Sequence, residues 1–445
     1  MNFDHLRKLL IQKALEGKLV PQLDSEQKVA QGELTENALQ EIPFNIPEKW
    51  KWFKLNKFVS VISGTSFKKT DQVSEGNGVR VIRGGNLRDF KIETKNDDVF
   101  VDNSLHDSDK EIQSSDIVIV ASTGSKEVIG RAACYRGNEK IQIGAFLRII
   151  RQNKKEYAPY LKILFQSDYY RKHIRNCSKG TNINNIKKEY ITELSIPIPP
   201  VQEQRRIVAK LEEAFAEIDR AEKAYEELQT LAGVLRGQIL QEAIQGKLVP
   251  QLAAEGVVEQ IGAAPEEVPF EIPESWKWVQ LKSIGQIIGG GTPKTSVADY
   301  WNGDISWITP ADLGKNTSKW ILKGSKSITQ KGLDESSAKL MPEGSIIYSS
   351  RAPIGHIAIA AHELCTNQGC KSFVPDAQFI TTEWAYYMLI ARTRDIQSRA
   401  SGTTFKEISG KGVGETWVSL PPIAEQQRIV AKVEELLKQV DTLSA

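Results

Sequence analysis

Cysteine, histidine and methionine are scarce in this chain: 4, 5 and 3 among 445 residues. Thiols at Cys134, Cys177, Cys365 and Cys370 are too few for the disulfide framework of a small secreted scaffold. No apolar run approaches the ~20 residues that a membrane span requires. Residues 1–20 carry charges throughout and lack the unbroken apolar stretch of a signal peptide. These absences place the chain in the cytoplasm, away from membranes. Catalytic signatures are missing too. Gly17-Lys18-Leu19 and Gly246-Lys247-Leu248 lack the leading glycine and the hydroxyl residue of a phosphate-binding loop. There is no Gly-x-Ser-x-Gly elbow. His356, His362, Cys365 and Cys370 crowd together, but their spacing fits no structural zinc motif, so they read as buried strand residues.

What is present is a repeat. "EGKLVPQL" at 16–23 returns as "QGKLVPQL" at 245–252. "EIPFNIPEKWKWFKL" at 41–55 returns as "EVPFEIPESWKWVQL" at 267–281, and "QEQRRIVAKLEE" at 202–213 as "AEQQRIVAKVEE" at 424–435. The offsets are 229, 226 and 222, so one unit of about 225 residues occurs twice.

From Gln202 to Leu248 there is no proline, and apolar residues from Ile207 to Ile239 recur at helical spacing. Gly233, Gly237 and Gly246 weaken the second half of the segment and leave one long helix or two jointed ones open. The first half of this segment matches the C-terminal tail and its second half the N-terminal stretch, so Ala445 aligns with Lys223 and Met1 with Thr230. The two chain ends read as one helix cut in the middle, pairing antiparallel with the central helix within the chain rather than with another subunit. Residues 1–25 and 423–445 are then half-helices, and 201–250 is a helical spacer. Residues 42–200 and 268–422 are two mixed α/β domains (α+β). The whole is pseudo-twofold symmetric, with circularly arranged repeats.

Net charge is only +2, yet its distribution is uneven. Residues 50–200 hold 26 Lys and Arg against 17 Asp and Glu, net +9, and residues 276–420 hold 16 against 12, net +4. The remaining segments hold 16 against 27, net −11. Basic globular blocks are the footprint expected of a phosphate-rich partner. Glycine-rich polar loops recur at matching places in both blocks. In the first they carry Thr65, Lys68, Lys69, Arg83, Asn86, Arg88, Ser122, Lys126, Asn182, Asn184, Lys187 and Lys188. In the second they carry Thr292, Lys294, Thr309, Asp312, Lys315, Arg351, Thr403, Thr404 and Lys406, with Thr309 and Asp312 aligned to Arg83 and Asn86. Arg and Lys suit the guanine edge, Asn the adenine edge and Asp the cytosine amine, so these residues are candidates for DNA binding. Trp50, Trp52, Trp276 and Trp278 lie in the shared motif rather than the divergent surface, and read as core.

With "IPIPPVQEQRRIVAKLE" at 196–212, "LPPIAEQQRIVAKVE" at 420–434, the "GKLVPQ" helix ends and the "IPEKWKW" and "IPESWKW" entries, the chain resembles the specificity subunit of type I restriction–modification systems over essentially its whole length. The resemblance implies two target-recognition domains, each reading half of a bipartite double-stranded DNA site. It implies helices that bind two methyltransferase subunits, and through them the restriction (translocase) subunits. S-adenosylmethionine, ATP and magnesium would sit on those partners, and this chain would bind no cofactor or metal and catalyse nothing itself. Helix length would set the unread spacer between half-sites. The chain departs from the commonest layout of the family by beginning with half a helix ahead of its first domain. Two other readings of the residues are a stand-alone bipartite DNA-binding regulator and a tandem carbohydrate-binding scaffold using the Trp pairs.

Overall fold

The computed structural model describes residues 2–30, 43–177, 184–402 and 406–444, and the chain divides into two compact units, Met1–Ala224 and Tyr225–Ala445.

In the first unit a helix at Phe3–Leu15 starts at Asn2, whose side chain accepts from the His5 N–H at 3.0 Å. It ends at Gly17, in the left-handed region at φ 68°. The Gly17 N–H reaches the Ala14 carbonyl at 3.3 Å and the Lys18 N–H the Lys13 carbonyl at 2.8 Å, the double closure of a Schellman cap. A Cβ at Gly17 would overlap the Pro47 ring, so both φ and space demand glycine. This explains the "GKLVP" motif: Gly246 ends the central helix in the same way, at φ 72° and against Pro273.

The globular part of the first unit is entered and left through one antiparallel pair, Lys51–Lys54 with Ser195–Ile198. A six-stranded sheet runs in the order Val59–Ser63, Leu147–Gln152, Ile117–Val120, Ala132–Cys134, Phe90–Ile92, Leu87–Arg88. A four-stranded sheet follows the order Ile141–Ile143, Gly78–Ile82, Val99–Asp102, Gln72–Val73. Period-two alternation divides one strand between two cores. Ile117 and Ile119 face the core shared with the helices, while Val118 and Val120 face a second core that includes Ile82, Ile141 and Ile143.

The second unit repeats the plan. Lys277–Gln280 pairs with Trp417–Leu420, and a five-stranded sheet runs Gly285–Gly289, Lys371–Pro375, Ile346–Tyr348, Ile357–Ala360, Trp320–Ile321. A three-stranded sheet, Lys326–Ile328, Trp301–Ile308, Cys365–Thr366, completes it. Ile346 and Tyr348 face the helical core while Ile347 faces the other side.

The central helix is unbroken from Val201 to Ile244, 44 residues, so Gly233 and Gly237 make no joint. In the first unit its N-terminal part runs antiparallel to the N-terminal helix. Arg7 reaches Asp219 and Glu222 at 2.6 Å, and Gln22 reaches Glu203 at 3.3 Å. In the second unit its C-terminal part runs antiparallel to the helix Ile423–Leu443, where Arg236 reaches Asp441 at 2.6 Å and Gln229 the Ser444 carbonyl at 2.6 Å. Arg7 and Arg236 differ by the repeat offset of 229, and Asp219 and Asp441 by 222. Both terminal helices therefore pair within the chain.

The "EQxR" motif anchors each pairing. Gln204 donates to the Pro199 carbonyl and Gln426 to the Pro421 carbonyl, each at 2.9 Å. Arg206 holds buried Glu26 at 2.7 Å, and Arg428 holds Glu255 at 2.6 Å. The Trp pairs are buried as well. Trp50 meets Tyr160 edge-on at 6.4 Å, Trp276 meets Trp384 at 6.1 Å, and Trp52 and Trp278 pack on Phe44 and Phe270. No aromatic platform remains there for a sugar. Among the described residues, no helix is long and apolar enough to cross a membrane.

Candidate nucleic-acid interface

Main-chain hydrogen bonds draw five loops of the first unit together. The Thr65 N–H donates to the Ile143 carbonyl at 2.8 Å and the Gly144 N–H to the Ile82 carbonyl at 2.9 Å, joining the Lys68 loop, the turn after Ile143 and the Arg83 segment. The Ala121 and Ser122 N–H groups donate to the Phe146 carbonyl at 2.8 and 3.1 Å. The Ile186 N–H donates to the Ala121 carbonyl at 2.8 Å, and Asn184 and Asn185 pair with Thr123 and Ser122.

The same links recur in the second unit. The Gly291 N–H meets the Thr366 carbonyl at 2.9 Å and the Asn367 N–H the Ile308 carbonyl at 2.9 Å. The Ser350 N–H meets the Gly369 carbonyl at 2.8 Å and the Ile408 N–H the Ser350 carbonyl at 3.0 Å. One frame thus carries two different sets of side chains.

In the first unit Lys68, Lys69, Lys126, Lys187 and Lys188 are exposed on this frame. Arg83 is exposed too, its guanidinium lightly held by the Asp97 carbonyl at 2.8 Å. Lys187 lies over the Tyr190 ring at 6.0 Å. Ser122 is half-buried, and Arg88 stands exposed on the edge strand beside Asp89 at 3.4 Å. In the second unit Lys294, Lys315 and Lys406 are exposed, and Arg351 is half-buried with its guanidinium 3.6 Å from Glu407. Thr292 is half-buried and donates to Gln368. Asn182, Thr403 and Thr404 lie outside the described residues, and of Asn184 only the backbone is described.

Several expected base readers turn out to be structural. Asn86 is 2% exposed; its amide oxygen accepts from the Arg83 N–H at 2.8 Å and its amide nitrogen donates to Asp98 at 2.6 Å and to the Glu93 carbonyl at 2.9 Å. Thr65 is buried beside Gly144. Asp312 is the aligned partner of Asn86 in space as well. Its carboxylate accepts from the Thr309 N–H at 2.9 Å, the Thr309 hydroxyl at 2.6 Å and the Ser325 N–H at 2.9 Å. Burial pushes this carboxyl up, but the bonds from Thr309 and Ser325 outweigh it and hold it below its ordinary value. Thr309 and Asp312 together start the helix Pro310–Lys315, so neither is free to address a base.

Three residues on the frame escape a sequence reading: Phe146, Asn185 and Gln368. A phenylalanine after Gly144-Ala145 reads as core, and only the structure shows it 68% exposed. The His and Cys cluster is dispersed. His356 faces the Pro310 carbonyl at 3.3 Å, His362 lies 3.5 Å from the Ser306 hydroxyl, and Cys365 and Cys370 are buried with their thiols pushed up to about 12 by burial. Among the described residues, no three His, Cys, Asp or Glu side chains gather to hold a metal.

A duplicated loop frame with cationic tips, mounted on helix pairs, defines a scaffold for reading a polyanion at two places. The comparisons give the family. The type I restriction modification DNA specificity domain matches residues 47–230 and again 273–444, and the chain belongs to that family of DNA sequence-recognition subunits. It is 26% identical over 413 residues to the EcoKI specificity subunit of Escherichia coli K12, covering 89% of this chain and 84% of that protein. It is 38% identical over 161 residues to the MjaIX specificity subunit of Methanocaldococcus jannaschii, a match spanning 36% of this chain and 37% of that one. In fold it is similar to a chain from a structural study of the assembly and conformational transition of a type I system, with TM-score 0.67 and 23% identity over 90% of this chain and 93% of that one. It is also similar to the HsdS subunit of Thermoanaerobacter tengcongensis, with TM-score 0.55 and 22% identity over 91% and 93%.

Proposed function

We propose that each unit reads one half of a bipartite double-stranded DNA target with its five-loop face, and that the paired helices dock two methyltransferase subunits and, through them, the restriction subunits. The observation that carries this reading is the frame itself: identical main-chain links under divergent, basic side chains. On it, Lys68, Lys69, Lys126, Lys187 and Lys188, and in the second unit Lys294, Lys315 and Lys406, neutralise phosphates and set register. Arg83, Asn185 and Arg351 are placed to address base edges. The solved relative described as part of a complex assembly supports the docking role. The chain acts in the cytoplasm and leaves S-adenosylmethionine, ATP and magnesium to its partners, which modify an adenine in each half-site after taking it from the stack.

Mapping methylated adenines in a host carrying the system tests this directly. The expected result is a bipartite motif with a fixed unread spacer; a continuous short motif would overturn it. Arg83→Ala should change or relax one half-site alone, and an equal loss on all sequences would refute its base-reading role. Lys187→Ala should weaken binding uniformly and lower the salt slope by about 1. Purification should bring down two methyltransferase copies per chain. A chain that purified alone and bound its site tightly would instead be a self-sufficient regulator.

A further inference from the structure

Phe146 has no role in any core, yet nothing about its backbone is loose. It sits in the turn between the strands Ile141–Ile143 and Leu147–Gln152, closed by the Leu147 N–H on the Gly144 carbonyl at 2.9 Å. Its own carbonyl accepts from Ala121 and Ser122, and the Arg148 guanidinium grips the Ala145 and Leu147 carbonyls at 2.9 and 2.8 Å. The ring is therefore held out, 68% exposed, by a fixed main chain. The same main-chain links tie it to the segments carrying Lys126, Asn185 and Lys187. A phenyl ring offers no hydrogen bond, only a flat apolar face. Beside groups that hold a phosphate backbone, the surface it matches is the face of a base.

We infer that Phe146 is a specificity-determining wedge that stacks on a base of the first half-site, opening the step at which it enters. This rests on the five-loop face being the DNA surface. At the matching position of the second unit no side chain stands. Gly369 occupies the equivalent place, its carbonyl accepting from the Ser350 N–H at 2.8 Å.

The test uses the full chain with its co-purified methyltransferases and duplexes carrying the mapped site, with 2-aminopurine substituted at successive positions of each half. Binding of the parent should change fluorescence at one step of the first half-site. Phe146→Ala should abolish that change and lower affinity for the cognate site by roughly 5- to 100-fold, as loss of one base–aromatic stack does. Phe146→Trp should restore both. The urea midpoint should stay the same, since the ring supports no core. If Phe146→Ala binds within twofold of the parent while Lys187→Ala and Lys126→Ala weaken binding, the wedge is refuted and the face stands. If all three bind as the parent does, the face itself is refuted.

Discussion

Glu26 is buried, and Arg206 is the cation that faces it, so removing the arginine strands a carboxylate. A fully buried pair broken this way costs about 3–5 kcal/mol, but the Arg206 side chain is 30% exposed and partly solvated. Arg206→Ala is expected to destabilise by on the order of 2 kcal/mol, read from the urea midpoint, and Arg428→Ala similarly through Glu255. Glu203 and Glu425 work the other way. Burial pushes both carboxyls above their ordinary value, with hydrogen bonds from Gln22 and from Gln251 and Trp276 opposing it. The folded state then holds protons that the unfolded state has released. Their penalty is absent below the usual carboxylate range and grows as pH rises through the raised values. A Glu203→Gln, Glu425→Gln variant should therefore gain stability relative to the parent as pH is raised from about 4.5 toward neutrality, in paired denaturation curves. A constant difference would remove these groups from the pH response. Such roles were partly legible beforehand. Repetition marked "EQxR" and "GKLVP" as important but could not say why. Asn86 and Asp312 misled because a polar residue in a glycine-rich loop has the same composition whether it faces solvent or caps the turn beneath it.

At the scale of elements, the start of the central helix was readable because its cause is local, a proline pair before it and no proline within. Its end was not: Gly246 reads as a weak helix former inside the segment, and only its left-handed φ of 72° shows it as the stop. Gly17→Ala and Gly246→Ala should each destabilise by at least ~1–2 kcal/mol from backbone strain, with a further loss from displacing Pro47 or Pro273. The measurement is again the urea midpoint, and the pairing of the affected helix should loosen first in hydrogen exchange. Continuity through Gly233 and Gly237 was not readable, since an open glycine costs only about 1 kcal/mol and 44 residues of neighbouring helix absorb it. The loop frame was invisible for another reason. Its links are between main-chain groups, which every residue carries, so no side-chain pattern announces them.

For the whole molecule, the circular order of the repeat gives each compact unit its own helix, globular part and second helical segment. The spacer reading makes a quantitative demand. Inserting four residues, about one turn, near Gly233 should lengthen the unread spacer of the methylated motif while leaving both half-sites unaltered. A change in the half-sites themselves would tie target choice to the helix and overturn the spacer reading.

The five-loop frame has one more implication, for how such a protein changes over time. Its loops are joined through carbonyls and N–H groups, so exchanging the exposed side chains at 83, 126, 187 or 406 perturbs neither core nor cap. If these positions set DNA preference as proposed, it is inherited separately from folding stability. A lineage can pass from one target to another through intermediates that are all well folded, provided that positions 86 and 312 keep their capping chemistry.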